Sequence, residues 1–136
     1  KNRLIELLSD GSIALDSDTS LESAAEHLVL YLTEWKRWNA KINLTAERDE
    51  LSVIKKHIYE SLQYARVISP TGSLVDIGSG AGFPGIPVKI IRPKLEIILV
   101  ESQRKRANFL KAAIRSIKLS KIQCVHGRVT DFPELI

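Results

Sequence analysis

The sequence contains a single cysteine, and no apolar run in it is long enough to cross a membrane. One cysteine excludes a disulfide within the chain, and the apolar neighbours of Cys124 indicate a buried strand residue rather than a nucleophile. A membrane helix needs about 18 consecutive apolar residues. The first residues also lack the apolar core of a secretory signal, so we expect a cytoplasmic protein. No cluster of metal-ligating side chains is recognisable, and we expect no metal site.

Acidic residues are missing from residues 102–130, where eight lysines and arginines fall. Residues 1–71 carry 9 Lys and Arg against 11 Asp and Glu, whereas residues 72–136 carry 11 against 5. Such a bias is typical either of a protein with a polyanionic partner or of a solvated helix face, and charge alone favours neither. Helical spacing would place four of these cations on one side of a helix. This basic ridge consists of Arg104, Lys111, Arg115 and Lys118.

The first part of the chain, residues 1–70, is predicted to be a helical segment. Hydrophobic residues make up 44% and charged residues 26% of the chain, as in ordinary globular proteins. Helices are expected over about 4–8, 20–40 and 50–68, and the capping-box spacing of Thr19 and Glu22 marks the start of the second. An apolar stripe through that helix predicts that Trp35 is buried. Trp38 lies off the stripe, where it could contact either a neighbouring layer of the protein or a base.

Residues 71–136 change to alternating strands and helices. Strands are expected over 73–77, 96–101 and 121–126, with helices over about 86–91 and 103–118 between them. This order predicts an α/β fold with a Rossmann-like, doubly wound parallel sheet. Three strands make only half of such a fold, so we expect the sequence to be truncated after the third strand. A monomer is the expected state.

Glycines follow the first predicted strand, in the stretch 75–85. Gly78, Gly80 and Gly82 have the spacing of a methyltransferase turn, whereas Gly80, Gly82 and Gly85 match the dinucleotide fingerprint. Asp76 precedes the first glycine, where a carboxylate can hold the cationic amino-acid part of S-adenosylmethionine but would repel a pyrophosphate. Glu101 ends the next strand and can accept both ribose hydroxyls of either cofactor. An NAD(P)-dependent oxidoreductase therefore remains an alternative.

Three longer motifs resemble one family. They are Trp38-Asn39-Ala40-Lys41-Ile42-Asn43-Leu44-Thr45, then Lys56-His57-Ile58-Tyr59-Glu60-Ser61-Leu62, then Asp76-Ile77-Gly78-Ser79-Gly80-Ala81-Gly82-Phe83-Pro84-Gly85-Ile86-Pro87. Together with residues 101–106, 109–110 and 127–129, they are similar to the bacterial small-subunit rRNA guanine-N7 methyltransferases, also called glucose-inhibited division protein B. The resemblance implies a class I methyltransferase fold, S-adenosyl-L-methionine as cofactor, and 16S rRNA or the small ribosomal subunit as partner.

The resemblance also implies a set of cofactor-binding residues. Gly78 and Phe83 would line the methionine and adenosine portion of the site, Glu101 would hold the ribose, and Val129 with Thr130 would flank the adenine. The full set is Asp76, Gly78, Gly80, Gly82, Phe83, Glu101, Ser102, Gln103, Val129 and Thr130. Members of the family usually carry an acid where Thr130 stands, and Asp131 is a possible substitute.

The implied chemistry needs no catalytic acid or base. Guanine N7 has a free lone pair, so catalysis can rest on aligning it with the sulfonium methyl. In A-form RNA the deep groove hides N7, which favours a loop nucleotide as the target. A third hypothesis is a non-catalytic RNA-binding module. His57 could contact RNA phosphate or pack against the sheet, and Arg128 could bind substrate or form a salt bridge.

Overall fold

The computed structural model of the chain describes residues 1–9, 15–16 and 19–135. The first part is helical, with α1 over Asn2–Ser9 and α2 over Leu21–Asn39. A third helical stretch begins as α3 (Glu50–Val53), continues as a π-helical turn over Ile54–Ile58, and ends as α4 (Tyr59–Ala65). The prediction of helices in this segment is confirmed.

Two predicted helix boundaries are wrong. Helix α2 is capped by Ser20, whose hydroxyl accepts a hydrogen bond from the Ser23 backbone N–H at 3.0 Å, and not by Thr19. Either hydroxyl suits an N-cap, and only the backbone conformation selects between them. The third helical stretch ends at Ala65 rather than near 68, because the N–H groups of residues 66 and 67 bond three residues back and close the last turn.

The second part forms a parallel three-stranded sheet. Strand β1 spans Gly72–Ile77, β2 spans Leu95–Glu101 and β3 spans Ile122–His126, in the order β1-β2-β3. Helices α5 (Gly85–Ile91) and α6 (Arg104–Ile117) connect them. Two short 3₁₀ helices follow, over Val129–Asp131 and Pro133–Leu135. The predicted strands agree with these bounds to within one residue, which confirms the α/β fold.

Alternation along β2 shows which face of the sheet the helices cover. Leu95, Ile97 and Leu99 are buried, whereas Glu96 is exposed and Ile98 is only partly buried. Right-handed crossovers place α5 and α6 on the same face, because the strands follow one another in a single direction. The carboxyl ends of all three strands meet at one edge of the sheet, which is where open α/β sheets bind ligands.

One hydrophobic core joins the two predicted units, 1–70 and 71–136. Trp35 is 1% exposed, as predicted, and Cys124 is buried on β3, where burial raises the pKa of its thiol to about 11. Trp38 packs edge-on against Phe109 of α6, with ring centroids 6.0 Å apart. Of the two contacts considered for Trp38, the structure therefore shows the one within the protein. The core members from the helical segment include Leu4, Leu28, Leu32, Ile58 and Leu62.

Candidate functional site

The glycine turn begins directly after β1 and adopts positive φ at each alternate glycine. The values of φ are +71° at Gly78, +57° at Gly80 and +94° at Gly82. A Cβ added to Gly78 would meet no described atom within 4 Å, and one added to Gly80 would meet only the Gly78 carbonyl at 3.9 Å. These two glycines are therefore required by the backbone conformation, and the space beside them is open to a ligand.

Gly82 and Gly85 serve packing instead. A Cβ on Gly82 would lie 2.7 Å from the Ile86 Cδ1 atom, and one on Gly85 would overlap the Leu99 side chain. At Gly82 the missing Cβ lets side chains of α5 and α6, Ile86 and Leu110, pack closely against the turn, and at Gly85 it lets the first turn of α5 approach the sheet. The three alternating glycines thus divide into a pair, Gly78 and Gly80, that faces open space, and Gly82, which packs against side chains of α5 and α6.

Asp76 lies near the end of β1 and connects it to the start of α5. Its Oδ2 atom accepts a hydrogen bond from the Gly85 backbone N–H at 3.1 Å, and its carbonyl accepts one from the Ser79 hydroxyl at 3.0 Å. Burial raises the pKa of the Asp76 carboxyl from 3.8 to about 6, against the opposing effect of the Gly85 bond. A cation placed beside this carboxylate would offset the cost of ionising it.

Glu101 ends β2 and is only 3% exposed. Its Oε1 atom accepts a hydrogen bond from the Gly80 backbone N–H at 2.8 Å, and Oε2 accepts one from the Gln103 backbone N–H at 2.8 Å. One carboxylate therefore joins the glycine turn to the start of α6. Each oxygen keeps a lone pair, so Glu101 can still accept a pair of neighbouring hydroxyls.

A cavity of about 280 Å³ opens at the carboxyl ends of the strands. Four predicted residues line it, namely Gly78, Ser102, Val129 and Thr130. The remaining lining residues are Ile77, Val100, Gly127 and Arg128. Sequence analysis did not assign Ile77, Val100 and Gly127 to the site, although their positions at or just after strand ends were a usable signal.

The carboxylate of Asp131 does not line this cavity. Its Oδ2 atom accepts a hydrogen bond from the Arg128 backbone N–H at 2.9 Å and so caps the short 3₁₀ helix. Arg128 itself lines the cavity, and it forms no ion pair within the described ranges. Of the two roles considered for Arg128, the structural salt bridge is therefore not seen among the described residues.

Phe83 lies in the turn but packs into a cluster of rings and does not line this cavity. The His57 ring stacks on it with centroids 4.9 Å apart and planes 14° apart, and Tyr31 meets it edge-on at 5.6 Å. The Tyr31 hydroxyl also donates a hydrogen bond to the Ala81 carbonyl at 2.6 Å. Two residues of the helical segment therefore hold the glycine turn in place.

His57 is fixed on its other side by an acid. Its Nε2 atom lies 2.8 Å from the Glu47 carboxylate, which also contacts the Lys56 ammonium at 3.3 Å. The hydrogen bond from His57 is the largest of the effects that lower the pKa of Glu47 to about 2. His57 thus packs between the helical segment and the glycine turn, and Glu47 is a supporting residue that sequence analysis missed.

The Trp-Asn…Asn-Leu-Thr motif forms a structural turn. The Asn39 side-chain oxygen accepts hydrogen bonds from the backbone N–H groups of Leu44 at 2.8 Å and Thr45 at 3.2 Å. The Trp35 indole N–H donates to the Thr45 hydroxyl at 3.2 Å. This turn fixes the loop between α2 and α3, which lies against the start of α6.

All four residues of the basic ridge are exposed, and none of them forms an ion pair in the part of the chain that the structure describes. Among the described residues, no helix is long and apolar enough to span a membrane. Nor do three or more His, Cys, Asp or Glu side chains from these ranges come together as a metal would require.

Comparison with known proteins gives a consistent result. The family model for rRNA small subunit methyltransferase G matches residues 24–135. A ribosomal RNA small subunit methyltransferase G of Clostridium kluyveri is 46% identical over 98 residues, which are 71% of this chain and 41% of that protein. One of Clostridium botulinum is 46% identical over 112 residues, covering 80% and 46%. One of Alkaliphilus oremlandii is 36% identical over 130 residues, covering 94% and 54%.

The chain spans about half the length of the curated relatives that it matches. The matched residues include the whole glycine turn, both strand-end acids and the 3₁₀ helix beside the cavity. On the extent of that match, this chain belongs to the rRNA small subunit methyltransferase G family.

Proposed function

We propose that the protein carrying this chain transfers a methyl group from S-adenosylmethionine to N7 of a guanine in 16S rRNA. The observation that carries the proposal is the Glu101 carboxylate, which accepts a hydrogen bond from the Gly80 N–H at the end of β2, where Val100 and Ser102, on either side of Glu101, line the open cavity. The relatives are named ribosomal RNA small subunit methyltransferase G, which agrees with this reaction. Ribosomal RNA as substrate also favours a cytoplasmic location.

The described residues offer a position for each of four parts of the cofactor. Glu101 has free lone pairs for the two ribose hydroxyls, and the open space beside Gly78 and Gly80 admits the chain that joins ribose to the amino acid. Asp76 is a half-buried carboxylate with no cation beside it among the described residues, so the cationic amino-acid part of the cofactor suits it. Val129 and Thr130 lie at the cavity wall, where we place the adenine.

The chain's residues would act by binding and alignment. When bound, S-adenosylmethionine supplies an electrophilic methyl group, and the guanine N7 lone pair needs no base to attack it. Holding both partners in line can lower the barrier by several kcal/mol, of the order measured for intramolecular reactions. We therefore assign no catalytic acid or base.

Calorimetry with S-adenosylhomocysteine tests the cofactor assignment in the complete natural polypeptide that carries this sequence. We expect binding in the parent protein and a large loss of affinity in Glu101→Ala. The matched control is Glu96→Ala on the same strand, whose exposed side chain should leave affinity unchanged. Binding of NADH without binding of S-adenosylhomocysteine would instead support an oxidoreductase.

Transfer of a labelled methyl group tests the reaction. We expect label on 16S rRNA and its loss in Asp76→Ala or Gly80→Ala. Labelling at a base other than guanine would refute the N7 assignment. RNA binding without any transfer would favour the non-catalytic module.

A further inference from the structure

A second, cationic cleft lies between the loop after α2 and the start of α6. Its volume is about 320 Å³. The residues that line it are Lys41, Ile42, Asn43, Gln103, Lys105 and Arg106. Three of these side chains are basic, and no acidic residue is among them.

The walls of the cleft are fixed by hydrogen bonds. The Arg106 Nη2 atom donates to the Asn43 carbonyl at 3.2 Å, and this bond closes the loop against α6. The loop itself is held by the Asn39 side chain, through its bonds to the Leu44 and Thr45 N–H groups. The cleft is therefore formed in the free protein and needs no rearrangement to receive a ligand.

The positive charge of the cleft is not neutralised by the protein. Lys41 and Lys105 are exposed, and neither forms an ion pair within residues 1–9, 15–16 and 19–135. Unpaired cations that converge on a concave surface attract an anion more strongly than the same charges spread over a convex one.

The cleft adjoins the cofactor site. The backbone N–H of Gln103, a lining residue, is bonded to the Glu101 Oε2 atom at 2.8 Å. In contrast, Lys111 and Arg115 of the basic ridge lie 6 and 10 residues further along α6 than Lys105. At 1.5 Å per residue they are about 9 and 15 Å further from the strand ends.

We propose that this cleft binds phosphates of the RNA strand on either side of the target nucleotide, while Lys111 and Arg115 of the ridge do not. The assignment of RNA as the polyanion rests on the proposed function. The presence of the cleft, the bond that fixes Arg106 and the absence of ion pairs at Lys41 and Lys105 among the described residues do not depend on that function.

The test compares two double variants of the complete polypeptide. Lys41→Gln/Lys105→Gln removes two charges from the cleft, and Lys111→Gln/Arg115→Gln removes two from the ridge. Affinity for a 16S rRNA transcript is measured against potassium chloride concentration. Each phosphate that is no longer bound should reduce the salt slope by roughly 0.7–0.9. We therefore expect the salt slope of the cleft variant to fall by about 1.5 and its affinity by roughly tenfold or more, and the ridge variant to match the parent.

Further measurements show whether the lost charge itself causes the lower salt slope and the weaker RNA binding of the cleft variant. S-adenosylhomocysteine affinity and the melting temperature should be unchanged in both variants, and Lys41→Arg/Lys105→Arg should restore the parent slope. Inorganic phosphate should compete only weakly, whereas an unrelated single-stranded RNA should compete strongly.

Three results would overturn the proposal. They are superimposable salt plots for the cleft variant and the parent, a parent that does not bind RNA, and a defect confined to the ridge variant. If methyl transfer fails but the cleft still determines the salt slope, the reaction is wrongly assigned and the RNA surface stands.

Discussion

Replacing Asp76 with asparagine is expected to change how stability depends on pH. The carboxyl is half-buried, and burial raises its pKa from 3.8 to about 6. The native protein therefore binds this proton more tightly than the unfolded chain does, and the carboxyl contributes stability that is present below pH 3.8 and lost as pH rises to about 6. Asparagine cannot ionise, but its side-chain oxygen can still accept the hydrogen bond from the Gly85 N–H.

The size of the stability difference between the two proteins follows from the rise in the pKa of Asp76. About two pKa units correspond to roughly 3 kcal/mol as an upper bound. Solvent reaches part of the carboxyl and screens its charge, so we expect about 1–2 kcal/mol. The free energy of unfolding of Asp76→Asn, relative to that of the parent, should therefore rise by this amount as pH increases from about 3.5 to about 7. Other carboxyl groups, such as Glu47 with its pKa of about 2, titrate in both proteins. Their contributions to stability therefore cancel when the variant is compared with the parent.

Urea unfolding of both proteins at several values of pH measures the difference directly. Cofactor binding gives a second readout, because a cationic amino group favours the ionised carboxylate. The affinity of the parent for S-adenosylhomocysteine should rise as pH passes about 6, and that of Asp76→Asn should stay flat through the same range. A stability difference that does not change between about pH 3.5 and pH 7 would show that burial does not control the ionisation of Asp76.

Two further substitutions test how the glycine turn is held by the helices around it. Tyr31→Phe leaves the buried carbonyl of Ala81 without its hydrogen bond and should cost about 1–3 kcal/mol in urea unfolding, whereas Tyr64→Phe at an exposed tyrosine should cost almost nothing. Gly82→Ala adds steric overlap to backbone strain and should lose about 2–4 kcal/mol of unfolding free energy, whereas Gly78→Ala adds strain alone and should lose about 1–2 kcal/mol. Equal losses at the two glycines would contradict the division between the packed position, Gly82, and the open position, Gly78.

Much of the fold could be predicted because its signals are local. Apolar runs that end at glycines identified β1 and the turn after it, and the stripe through Trp35 identified the buried face of α2. The strand-end positions of Asp76 and Glu101 followed from the lengths of the runs that precede them. The start of α2 could not be fixed to the residue in this way, since Thr19 and Ser20 are both suitable caps and only the backbone conformation decides between them.

Contacts between distant parts of the chain could not be predicted from such signals. The stacking of His57 on Phe83, its bond to Glu47 and the bond from Tyr31 to the turn each join residues that no periodic pattern relates. The same is true of the cationic cleft, because Lys41 and Lys105 belong to elements that only folding brings together.

The sequence by itself determined the alternation of strand and helix, the glycine turn and the two acids beside it, because backbone conformation and burial depend on neighbouring residues. The tertiary structure alone decided which glycines face open space, which cations line the second cleft, and which rings support the turn. Those properties depend on distances between segments far apart in the chain, and such distances are set only when the segments pack around a common core.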